Sequence, residues 1–152
     1  MWQGLSPNAT LCDNHIVSQD TPGAAPCSTH PPIPSKSRAI THVYYVPGTR
    51  AVAERLRSTI AHEFTVEAGK LYDEPRGPHP IPQFNVIFNT ALFDKVVPWL
   101  MLNREGLDAL VHPLTASSYD DHSKNALWLG TPVELRLDTL RATYRAEQYP
   151  TG

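Results

Sequence analysis

Four apolar residues at helical spacing, Val52, Leu56, Ile60 and Phe64, stand between two runs of strand character. This alternation limits the fold more than any other feature of the chain. The stripe needs an apolar surface to cover, while Glu54, Arg55, Arg57 and Ser58 face water. Before it, residues 40–46 are β-branched and aromatic, read as a strand and end at Pro47-Gly48, with Thr49 placed to cap the helix. After it, residues 65–72 read as a second strand, made irregular by Gly69. Three prolines and a glycine make residues 73–80 a loop.

Residues 81–88 form a third strand with Phe84, Val86 and Phe88 on one face. Thr90 caps a second helix reaching about Arg104, with Leu92, Phe93, Val96, Val97, Leu100 and Met101 inward, a kink at Pro98 and a stop at Gly106. Residues 107–112 make a fourth strand closed by Pro113. Residues 126–129 and 133–137 suit short further strands, and residues 138–148 a terminal helix. The order β-α-β-β-α-β predicts an α+β, ferredoxin-like sandwich. In the expected topology, strands one and three lie side by side and parallel, and strand four flanks strand one in the opposite sense.

Residues 1–38, with six prolines among Ser, Thr and Gly, bury too little apolar surface to order and are expected as a disordered tail. Residues 39–152 are expected as one domain. A net charge of −2 and a pI near 6.4 argue against nucleic acid or an anionic membrane as partner. No apolar run reaches the ~20 residues of a membrane helix. Cys12 and Cys27 both fall in the tail at no zinc-motif spacing, and the N-terminus has neither a basic nor an apolar leader region. A cytoplasmic protein that meets a small molecule or another protein surface is the expectation.

The seven histidines then carry the argument. His15 and His30 lie in the tail, and His62 reads as a surface cation at a helix end. His42, His79, His112 and His122 sit beside prolines, acids or strand residues. The topology predicts that they converge at one end of the sheet, with Tyr72, Asp73 and Glu74 nearby. Imidazole suits iron, zinc, copper and nickel, and two histidines with one carboxylate leave open positions on ferrous iron. A further, uncoordinated histidine could take a substrate proton and return it. The bland alternative is a rim in which each histidine holds a proline-rich turn. No nucleophile elbow, phosphate-cradling loop or dinucleotide fingerprint is present. Trp99 and Trp128 read as core or interface residues.

Gly77-Pro78-His79-Pro80, Leu102-Asn103-Arg104, Val111-His112-Pro113-Leu114-Thr115, Asp121-His122 and Trp128-Leu129-Gly130 together resemble the DOPA 4,5-dioxygenase family. The resemblance covers residues 39–138. It implies a small ferredoxin-like domain, a homodimer or higher homo-oligomer, and extradiol cleavage of L-DOPA or a related catechol by O2 at Fe(II), or alternatively at zinc or another divalent metal. His42 matches the second histidine of the family's His-x-His strand, and His79, His112 and His122 match the three later motif histidines. Ile40 stands where the first histidine of His-x-His is expected, and Val46 and Tyr72 also depart from the pattern. The resulting assignment gives His42, His79 and His112 to the metal, with Asp120 or Asp121 as a further ligand. It makes His122, with His112, catalytic, and gives Arg104 and Tyr44 to the substrate. A rival reading is a non-catalytic oligomeric binding module of the same fold, supported by Ile40, Val46 and Tyr72. A third, a cofactor-free isomerase, rests on fold analogy alone.

Overall fold

The computed structural model describes residues 9–12, 15–18 and 37–140. Two compact units divide the chain, the first covering Met1–Ile33 and the second Pro34–Gly152. In the first, Ala9–Cys12 and His15–Ser18 pair antiparallel, with Ala9 opposite Ser18 and Cys12 opposite His15. Most of the expected tail, including Cys27 and His30, lies outside the described residues.

The second unit runs β1 (Arg38–Tyr44), α1 (Arg50–Glu63), β2 (Glu67–Ala68), β3 (Gln83–Asn89), α2 (Phe93–Asn103), β4 (Ala109–Pro113), α3 (Ser118–His122) and β5 (Leu127–Leu129). Single 3-10 turns, Pro47–Thr49 and Thr90–Leu92, lead into α1 and α2. The sheet order is β2-β3-β1-β4-β5. Its first four strands have the expected ferredoxin-like arrangement, with β5 added at the edge.

Every pairing in this sheet is antiparallel, which corrects the expected parallel sense of β1 and β3. The reason is topological. The α1 crossover returns the chain so that β2 runs with β1, and β3 then folds back from β2 into the space between them. It must therefore oppose both neighbours. The register sets Ile40 against Ile87 and His112, and His42 against Asn85 and Leu110.

Directly opposed residues share a face, so this register sorts the side chains. Ala39, Val43, Phe84, Val86, Phe88, Ala109 and Val111 pack with Ala53, Leu56 and Ile60 of α1 and Val96, Val97 and Leu100 of α2. This is the core, and each large aliphatic side chain in it contributes about 1.5–3 kcal/mol through burial. Ile40, His42, Tyr44, Gln83, Asn85, Leu110 and His112 take the face away from both helices.

Several local expectations change. Residues 65–72 pair only at Glu67–Ala68, with one isolated bridge from Tyr72 to Gln83. Residues 133–137 form no strand, and most of the expected terminal helix lies outside the described residues. Thr49 makes no side-chain cap on α1, because its hydroxyl closes the preceding turn on Val46. α2 itself has no side-chain cap; Asn89 instead caps the 3-10 turn before it, accepting from the Ala91 amide, while Thr90 donates to the Ser37 carbonyl. Phe93 and Met101 are exposed, not inward. Gly106, at φ +82, ends the helix region as expected.

Candidate functional site

The face turned away from the helices holds the histidines. His42 comes from β1, His112 from β4, His79 from the turn before β3 and His122 from the end of α3. The turn before His79 is held by sequence. Gly77 takes a left-handed φ of +56 and Pro78 follows, so that Arg76 and His79 exchange both backbone hydrogen bonds, at 3.0 and 3.1 Å. Strand register alone brings His42 and His112 onto one face, their rings 5.3 Å apart and nearly stacked. His79 lies 4.0 Å from His42, and His122 lies 4.2 Å from His112, between ring centroids. The histidines do converge, but over a face of the sheet and not at its end.

Each ring is fixed through Nδ1. His112 Nδ1 donates to the Pro113 carbonyl at 2.7 Å, and His122 Nδ1 to the Ser118 carbonyl at 2.8 Å. His42 Nδ1 donates to Gln83 Oε1 at 3.2 Å. His79 Nδ1 meets the Tyr44 hydroxyl at 2.8 Å. Anchoring at Nδ1 leaves Nε2 as the lone-pair nitrogen, the arrangement by which outer partners orient metal-binding imidazoles. His112 Nε2 is buried without any hydrogen-bond partner.

Burial is the main force on the charge of all four. It pushes His79 down to about 3, with the neighbouring His122 and His112 adding repulsion. It takes His112 down to about 4 against the opposing pull of the Pro113 carbonyl. His42 is held well below the usual imidazole range by burial and then by His79 and His112, and His122 is lowered by burial. The cluster is therefore neutral at physiological pH, as metal ligands must be.

Potential ligand atoms of His42, His79 and His122 lie within 4.8 Å of one another, and this trio could hold a metal ion. His112 borders the trio through His42 and His122 and adds its orphaned nitrogen. The donor set suits iron, zinc, copper or nickel.

The carboxylates fall elsewhere. Asp121 is buried, and its Oδ2 and Oδ1 accept from the Thr115 amide and hydroxyl at 2.9 and 2.7 Å. Asp120 pairs with Lys124 at 3.1 Å. Neither stands in the trio, which corrects the expected carboxylate ligand. Asp121 is committed to Thr115 through both carboxylate oxygens, which leaves none for an ion in the trio.

A pocket of about 320 Å3 opens over the cluster, and its walls include Ile40, Tyr72, Arg76, Asn85 and Leu114. Of the two residues expected to meet substrate, neither lines it. Arg104 donates Nη1 to the Leu107 carbonyl at 2.6 Å, and Tyr44 is buried behind His79, its ring stacked on Trp128. The cation that does line the pocket is Arg76. Its signal in the sequence was the Arg-Gly-Pro-His spacing, which pairs its first and last residues across a two-residue turn.

An antiparallel sheet with helices on one face and neutral, anchored imidazoles on the other defines a small α+β domain with a candidate metal centre. The chain belongs to the Dopa 4,5-dioxygenase family, whose model matches residues 40–139. A solved protein from Nostoc punctiforme, described as a "putative dioxygenase", is 45% identical, with a TM-score of 0.69 over 72% of this chain and 95% of its own. An uncharacterized 21.2 kDa protein of Botryotinia fuckeliana is 32% identical over 112 residues, 66% of this chain and 61% of that protein. A DOPA 4,5-dioxygenase of Amanita muscaria is 36% identical over 67 residues, 44% of this chain and 29% of that protein. The chain thus spans less than two thirds of either curated relative. Family and solved neighbour together support an oxygenase-type enzyme. Among the described residues, no helix is long and apolar enough to cross a membrane.

Proposed function

We propose that this domain is a non-haem Fe(II) extradiol dioxygenase, which opens the ring of L-DOPA or a related catechol with O2 beside the two hydroxyls. The observation that carries this reading is the buried His112 Nε2, which lacks a partner at the edge of a neutral three-histidine cluster. A buried polar atom left unpaired costs about 1–3 kcal/mol unless something occupies the site.

His42, His79 and His122 would hold the metal through Nε2, each oriented by its Nδ1 partner. When bound, ferrous iron would supply the redox chemistry that lets O2 react with the catechol. His112 stands outside the trio, with its Nδ1 proton committed to Pro113. Its Nε2 is then free to accept a catechol proton and return it to the ring-opened product. This exchanges the roles expected for His112 and His122. Ile40 and Leu114 give the pocket apolar walls against which a flat ring can lie.

A second reading has its own support. Ile40, opposite His112 in the register, fills the position where the resemblance expects a histidine, as it would in a catalytically silent binding module.

Oxygen uptake by anaerobically purified, iron-reconstituted protein given L-DOPA, with a parallel optical scan, tests both. Uptake with a new visible band supports extradiol cleavage. Iron bound without uptake overturns the L-DOPA assignment. Catechol binding with neither iron nor uptake favours the binding module.

A further inference from the structure

We propose that Arg76 is a specificity residue that binds an anionic substituent on the substrate's side chain, so that the pocket selects catechols bearing a carboxylate. The inference rests on the catechol reading above and adds to it the group that recognises the other end of the molecule.

Three relationships carry it. First, Arg76 and His79 are a doubly hydrogen-bonded pair across the Gly77-Pro78 turn. The two residues of such a pair project to the same side of the hairpin. With His79 in the cluster, Arg76 stands on the wall of the same pocket that the histidines line.

Second, the Arg76 guanidinium lies over the Tyr72 ring, 4.4 Å from its centroid. The Tyr72 backbone is tied to the site, because Tyr72 and Gln83 exchange backbone hydrogen bonds at 2.9 and 3.0 Å, and Gln83 also holds His42. A guanidinium laid on an aromatic face keeps its N–H edge free for two parallel bonds to a carboxylate.

Third, Arg76 has no acidic partner among the described residues. Arg38, Arg50 and Arg55 are paired with Glu67, Asp73 and Glu105. Arg57 and Arg104 donate to backbone carbonyls. Lys70 also approaches Tyr72, at 5.2 Å, but does not line the pocket.

The test uses zinc-loaded full-length protein and calorimetric titration with two ligands differing in one group, 3-(3,4-dihydroxyphenyl)propionate and 4-propylcatechol. The acid is expected to bind the wild type more tightly by about tenfold to a hundredfold. Arg76→Gln removes that advantage and leaves 4-propylcatechol unchanged, Arg76→Lys restores part of it, and Lys70→Gln leaves it intact. Equal binding of both ligands by the wild type, or equal weakening of both in Arg76→Gln, overturns the proposal. A third probe, 3-phenylpropionate, lacks both hydroxyls. If it binds as tightly as the dihydroxy acid and still depends on Arg76, the anion site stands and the catechol reading falls. If neither acid depends on Arg76, the anion site falls whatever the reaction.

Discussion

The Tyr44 hydroxyl lies 2.8 Å from His79 Nδ1, beneath the ring that completes the histidine trio. Burial raises the Tyr44 ionisation far above its usual range, so the hydroxyl keeps its proton. It can donate to His79 in the metal-free state and, by rotating, accept from Nδ1–H when Nε2 is engaged. Tyr44→Phe keeps the ring on Trp128 and removes only this partner. Metal affinity is expected to fall by about tenfold to a hundredfold, read by competition against a chelator. Unchanged affinity would show that His79 needs no partner at Nδ1.

Asp121 does its work through Thr115. Two acceptor oxygens meet two donors, and the segment between β4 and α3, which joins His112 to His122, is closed into a ring. Asp121→Asn replaces one acceptor with a donor that faces Thr115. A loss of about 1–3 kcal/mol is expected, visible as a lowered Tm of the metal-free protein. Thr115→Val should cost less, because the amide contact survives. A ligand role for Asp121 would predict the reverse: lost metal with little change in metal-free stability.

The metal-free protein should be acid-sensitive in a defined window. Unfolded histidines titrate near 6.5, whereas His112 and His79 titrate at about 4 and about 3 in the fold. Between those values the unfolded chain binds more protons, so stability falls as pH falls. It is highest above about pH 6.5, declines below that, and levels off near the folded values. The slope is at most about 1.4 kcal/mol per pH unit for each buried histidine. Urea unfolding at pH 7.5 and pH 5 reads the difference, and a flat profile would mean that the rings are hydrated in solution.

The strand and helix order was legible because the 3.6-residue stripe of α1 and the aromatic run of β3 are strong local signals. The motif histidines were legible for the same local reason, since each sits in a short pattern of prolines, acids and turn residues. Their meeting place was not. From Ala39 to Tyr44 every residue of β1 is buried, so no alternation of polar and apolar residues marked which side His42 faced. The register, which no single strand specifies, puts the site on a face and not at the strand ends. Sequence adjacency to His122 does not bring Asp121 into the trio, because Thr115 takes both of its carboxylate oxygens. The local cue for Arg76 is its backbone pairing with His79 across the Gly77-Pro78 turn, which sets both residues on one side.

The division of labour among the histidines is separable by experiment. His122 belongs to the trio whose ligand atoms lie within 4.8 Å, and His112 does not. His122→Gln removes one of three ligands, and metal affinity should fall by roughly a hundredfold or more, beyond the effect of losing an outer partner. His112→Gln keeps the trio and offers its amide to the Pro113 carbonyl in place of Nδ1–H. Metal stoichiometry should persist while kcat falls by about a hundredfold to ten-thousandfold, the usual value of a positioned proton acceptor. Metal content by elemental analysis and single-turnover oxygen consumption read the two quantities independently. If His112→Gln loses the metal and His122→Gln retains it, His112 is the third ligand, the proton passes through His122, and the assignment made from geometry is reversed.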